Sequence, residues 1–132
     1  MSVFSEYQTD TIDLALDFYG YEDCPKNYDF GHSVRDNFVL HFVTKGKGVF
    51  HFEKKEIHLE AGDLFLLPKN KVTYYQADSE EPWSYYWIGI SGTKVSDFMR
   101  FSTLQEKGFL KKTEVDTERI GLFMEQLIHK AE

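Results

Sequence analysis

The sequence predicts a mainly β fold, an antiparallel β-barrel or jelly roll followed by two C-terminal α-helices. Three observations carry this. Short apolar alternations recur from Asn37 to Ser91, cut by Gly, Pro, Asn and charged residues. No helical run lies between them, so βαβ units are disfavoured. After Gly92 the apolar spacing changes from two residues to three and four.

The elements follow in order. Met1 to Thr11 reads as an arm, and Ile12, Leu14, Leu16 and Phe18 alternate as a first strand. Tyr19 to Asp36 reads as an irregular connection, too rich in Tyr and Phe for a bare linker. Asn37 to Thr44 is a strand apolar on both faces, with Phe38, Leu40 and Phe42 on one and Val39, His41 and Val43 on the other. Lys45-Gly46-Lys47-Gly48 is expected to make a tight hairpin into Val49 to Glu53. Lys54 to Glu56 turns the chain into Ile57 to Leu59. Glu60 to Asp63 turns it again into Leu64 to Leu67. Val72 to Ala77 and Trp83 to Ser91 are the remaining strands, about eight in all. Thr93 can cap a first helix through Arg100 or Phe101, and Gln105 to Lys112 is a connector. Asp116 or Thr117 can cap a second helix that runs to Glu132. The expected organisation is an arm and first strand (1–18), a barrel (12–92) and a helical segment (93–132).

A chain of 132 residues fits one domain with its own core. Its formal net charge of −7 argues against direct contact with a phosphate backbone, which needs a basic face. The single cysteine, Cys24, excludes an internal disulfide. The acidic N-terminus is unlike a signal peptide, and no apolar run approaches the roughly 18 residues of a membrane span. These features predict a cytoplasmic domain with no membrane partner.

Aromatic residues make up 17% of the chain, an excess that a small core does not require. Trp83, Tyr85 and Trp87 share one strand face, and Thr73 and Tyr75 share a face on the preceding strand. If the two faces converge, flat rings with hydroxyl and indole N–H groups meet. That chemistry suits a ligand with apolar C–H faces and many hydroxyls, such as a sugar. The competing reading is a filled core. Nucleophilic catalysis has no support, since no G-x-S-x-G exists and Cys24 has no neighbouring His. A metal-dependent enzyme would need His41, His51 and Glu53 as ligands, without any H-x-H or C-x-x-C signature. No metal or other cofactor is expected. In the second helix Ile120, Phe123, Met124, Leu127 and Ile128 form an apolar stripe, for packing on the barrel or for a dimer.

Several segments resemble the cupin-type ligand-binding domain of AraC/XylS-family transcription regulators. They are Gly46-x-Gly48, Leu59-x-Ala61-Gly62-Asp63-Leu64-Phe65-Leu66-Leu67-Pro68, Val34-Arg35-Asp36, Val72 to Asp78, and Pro82-Trp83-x-Tyr85-x-Trp87-x-Gly89. Within that family they are similar to the multiple-sugar and raffinose operon regulators. The resemblance covers residues 12–92 well and the helical end loosely. It implies a sugar sensor whose barrel holds the ligand, whose N-terminal arm folds over it, and whose C-terminal helices form a homodimer. It also implies a helix-turn-helix DNA-binding domain that this chain does not contain. Carried over by position, Tyr75, Tyr85 and Trp87 touch the sugar. From the strand faces and side-chain chemistry rather than the resemblance, Thr73, Trp83, His41 and Arg35 are further expected ligand contacts. An α-galactoside or another oligosaccharide is the expected class. Thr73 stands where metal-binding cupins carry a histidine, which favours a metal-free pocket over an enzyme. A purely structural dimerisation module is the third reading.

Overall fold

The computed structural model describes residues 15–33, 37–68, 70–93, 95 and 103–131. Nine strands are found among them: β1 (Ala15–Asp23), β2 (Asp29–Ser33), β3 (Phe38–Lys45), β4 (Lys47–Phe52), β5 (Lys55–Glu60), β6 (Leu64–Leu67), β7 (Thr73–Ala77), β8 (Ser84–Ser91) and β9 (Phe109–Leu110). A one-turn helix, α1 (Thr103–Lys107), precedes β9, and α2 (Thr117–Ala131) follows it. The strands form two antiparallel sheets, ordered β1-β8-β3-β6-β9 and β2-β7-β4-β5. Their inner faces enclose one core cluster, and the outer face of the first sheet carries a second.

The mainly β architecture agrees with the expectation, and four local expectations are corrected. Lys45 to Gly48 is not a hairpin. β3 is already bonded on both sides, to β6 and β8, so β4 leaves at Gly46 to join the other sheet. The real hairpin is β4–β5, closed by Glu53 and Lys54, both at positive φ. Tyr19 to Asp36 is less irregular than expected, because β1 continues to Asp23 and β2 follows. Of the two expected C-terminal helices, one of full length, α2, is found among the described residues. The expected first helix lies almost wholly outside the described residues, and the connector holds α1 and β9 instead. β9 also continues the first sheet beyond residue 92. The arm, Met1 to Thr11, and Arg35 lie outside the described residues.

β3 shows why both of its faces are apolar. Val39 and Val43 point into the inter-sheet core, while Phe38, Leu40 and Phe42 belong to the outer cluster under α2. Met124 and Ile128 of α2 are buried there, with Ile120 and Leu127 half-buried beside them. Phe123, counted in the same stripe, points to solvent, as does Leu122; they are 57% and 56% exposed. The helix is amphipathic, and its apolar stripe is wider than the sheet can cover.

The Ala61–Asp63 turn anchors this C-terminal segment to the barrel. Asp63 is 1% exposed, and its carboxylate accepts from the backbone N–H of Glu60 at 2.8 Å and of Lys112 at 3.0 Å. Charge-assisted bonds of this kind offset the cost of burying a carboxylate. The Lys112 ammonium donates to the Ala61 carbonyl at 2.9 Å, and the Thr117 hydroxyl, in the first turn of α2, donates to the Gly62 carbonyl.

Candidate functional site

A cavity of about 140 Å³ opens at one end of the space between the sheets. β8 supplies Tyr85 and Trp87 to its wall, β7 supplies Tyr75, and β3 supplies Val39 and His41. Each follows from strand alternation, since these are the inward positions of their strands. Leu67 comes from β6, Phe30 from β2, and Tyr28 from the loop before β2. β1 adds Phe18 and Glu22.

The wall is a set of rings held in fixed orientations. Tyr85 meets Trp87 edge-on at 5.8 Å and Tyr75 edge-on at 6.1 Å, while Phe30 stacks on Tyr75 at 5.5 Å. His41, 2% exposed, stacks on Phe65 at 4.2 Å and meets Tyr75 and Tyr85 edge-on. Burial raises the pKa of the Tyr85 phenol far above its ordinary value, reinforced by the nearby Tyr75 and Cys24. Tyr85 is therefore neutral throughout the physiological range. Burial also pushes the Cys24 thiol up, leaving it protonated and unreactive at neutral pH.

Trp87 sits where it does because Gly20 lies opposite it in the β1–β8 register. A Cβ on residue 20 would approach the indole to 2.3 Å, so the ring lies directly on the β1 backbone. Trp83, four residues earlier on the same face, lies on Gly48 in the other sheet, where a Cβ would come within 2.5 Å.

Sequence reasoning named seven ligand contacts, and the structure divides them. Tyr75, Tyr85, Trp87 and His41 line the cavity together. Trp83 does not: it is wholly buried, stacked on Phe65 at 5.1 Å, and fills the core below the cavity. Thr73 is buried as well, beside a separate surface groove next to the Glu53–Lys54 turn. Arg35 lies outside the described residues. Phe18, Glu22, Tyr28 and Phe30 were missed, because they belong to the segment read as a strand end and a loop. For Phe18 the cause is a β-bulge between Leu16 and Phe18, which turns Phe18 inward while Leu16 joins the outer cluster. The aromatic content of Tyr19 to Phe30 was the available signal.

The alternative metal ligands do not converge. His41 lies in the inter-sheet space, on β3 of the first sheet. His51 is on β4 of the second sheet, out of register with its inward neighbours Phe50 and Phe52 and against Tyr74. Glu53 is in the hairpin turn, paired with Lys71 at 3.1 Å. Among the described residues no group of three or more His, Cys, Asp or Glu side chains could hold a metal ion. No helix among them is long and apolar enough to cross a membrane.

The chain is 44% identical over 104 residues to an Msm operon regulatory protein of Streptococcus mutans, covering 79% of this chain and 37% of the relative. It is 40% identical over 100 residues to the raffinose operon transcriptional regulatory protein of Pediococcus pentosaceus, covering 74% and 36%. The match thus spans little more than a third of the length of these regulators. Among solved structures, the cupin domain of Schizosaccharomyces pombe Cnp3 superposes with a TM-score of 0.54 at 14% identity, covering 76% of this chain and 68% of that one, which shows a cupin fold. The model of the AraC-like ligand binding domain matches residues 15–132, and the chain belongs to that family.

Proposed function

We propose that this chain is the ligand-sensing part of a transcription regulator of carbohydrate use, and that it takes a saccharide ring into the cavity beside Trp87. The observation that carries this reading is the cavity itself, about 140 Å³ and walled by Trp87, Tyr75 and Tyr85. An engineered apolar cavity of about 150 Å³ admits one six-membered ring. A pyranose is one such ring, with apolar C–H faces to stack on an indole and hydroxyls to meet phenols. The cavity is open at one end, so further units of an α-galactoside or other oligosaccharide would project toward solvent. The raffinose operon relative supports the saccharide class.

Calorimetry with a panel of α-galactosides and glucosides tests this on the wild-type chain and Trp87→Ala. Binding by the wild type and a loss of tenfold or more in the variant are expected, from about 1–3 kcal/mol of ring contact. No binding to any of them, or equal affinity in the variant, would remove the assignment.

The reading extends to a homodimer formed through α2. Ile120, Met124, Leu127 and Ile128 are largely used against the barrel, so the proposed interface centres on the exposed Leu122 and Phe123. Phe123→Glu should make the chain monomeric in sedimentation. A folded variant with the oligomeric state of wild type places the interface elsewhere. β6 offers a mechanical link: Leu67 at one end lines the cavity, and the turn before Leu64 at the other end holds the start of α2. Ligand regulates through this link only if it favours one arrangement of α2 over another. DNA contact is assigned to residues outside this sequence, in keeping with the net charge of −7 here.

A further inference from the structure

We infer that Glu22 makes the cavity selective for uncharged saccharides and against their phosphorylated forms. The inference rests on the saccharide reading above. Among the described residues, Glu22 is the one carboxylate that lines the cavity, and no Lys or Arg lines it. The remaining titratable groups on the wall are His41 and three tyrosines. His41 is enclosed by Phe65, Tyr75 and Tyr85, and Tyr85 is neutral.

Glu22 is half-buried and stands opposite Tyr85 in the β1–β8 register. Its carboxylate makes no hydrogen bond or ion pair with another described residue, whereas the carboxylate of its neighbour Asp23 is engaged by Ser84, Tyr21 and Lys45. A carboxylate accepts through two oxygens, which matches two adjacent hydroxyls of a pyranose. Hydrogen bonds to an ionised acceptor are about twice as strong as neutral ones. The same group repels a phosphate placed in the cavity. A partly enclosed site screens that repulsion poorly, and the net charge of −7 adds to it. Lys45, on the strand beside the cavity wall, does not relieve it, since it is paired with Asp23. The sensed molecule is then the form that a sugar kinase consumes, and phosphorylation would end the signal.

Calorimetry of the 132-residue chain with galactose, glucose and raffinose, and with the 1- and 6-phosphates of the two monosaccharides, tests the inference. The wild type should bind a neutral sugar and bind its phosphates about 100-fold more weakly. Glu22→Gln should weaken the neutral sugar about tenfold and narrow the gap to the phosphates. Glu22→Lys should bind a phosphate more tightly than wild type does. Thermal melts establish that both variants are folded. Equal wild-type affinity for a sugar and its phosphate overturns the inference and leaves the saccharide pocket standing. So does a folded Glu22→Gln with unchanged affinities. If neither neutral nor phosphorylated sugars bind, the pocket reading falls and this inference falls with it.

Discussion

Trp83, immediately before β8, and Trp87, within it, lie four residues apart and turn toward the space between the sheets, and they do opposite things. Trp83 is wholly buried, seated on Gly48 and stacked on Phe65, and it closes the core between the sheets. Trp87 is half-buried, seated on Gly20, and stands at the open end beside Tyr85. The difference lies in what faces each ring. Around Trp83, Phe50 and Tyr75 of the second sheet and Phe65 of β6 in the first all join the core cluster. Around Trp87, β1, β2 and their connection complete the wall begun by β3, β6, β7 and β8, and they leave about 140 Å³ unfilled. An aromatic at a period-two position can therefore be core or pocket wall, and its partner strands decide which.

Breaking the core half should have the largest effect. Trp83→Ala is expected to cost about 3–5 kcal/mol, because the indole and its stack on Phe65 leave a cavity that the sheets cannot collapse. A chemical denaturation curve measures this, and a loss below about 1 kcal/mol would show that Trp83 is not core. Trp87→Ala should cost less than half as much stability while removing most saccharide affinity. Comparable losses of stability from the two would erase the distinction drawn between them.

The seat of the pocket tryptophan gives an intermediate effect. Gly20→Ala puts a methyl 2.3 Å from the Trp87 ring, so the ring must move into the cavity. Such overpacking costs about 1–3 kcal/mol. It should also weaken saccharide binding with every wall side chain still present. Unchanged stability and affinity would mean that the ring is free to shift.

The smallest effect is pH dependence. Cys24 and Tyr85 both have folded-state pKa values raised by burial, so the unfolded chain loses these protons first. Their contribution is whole below the ordinary thiol value of 9.0 and drains away as pH rises past it and past the ordinary phenol value of 10.0. Tyr85→Phe should flatten the alkaline limb of the melting-temperature profile. An identical limb in the variant would assign it to other groups.

Much of this fold was legible in the sequence, for reasons visible in particular residues. β3 showed its two apolar faces, and the inward set of β8 could be read from period two alone. The hairpin wrongly expected at Gly46 fails because pairing is set by which strands compete for an edge, and β6 and β8 are far away in sequence. The β1–β2 contribution to the cavity failed for a smaller reason. One extra residue at the bulge reverses which side chains face inward, and no composition signal marks it. Trp83 and Thr73 were placed correctly by face and wrongly by depth, since alternation says nothing about position along the barrel axis.

The indole N–H resonances of the two tryptophans offer the most direct test of the central claim. In a two-dimensional NMR titration with a saccharide found to bind by calorimetry, the Trp87 indole signal should move to saturation. The Trp83 indole signal should stay in place. Movement of Trp83 with Trp87 unchanged, or no movement of either at saturating ligand, would contradict a saccharide site at the open end of the barrel.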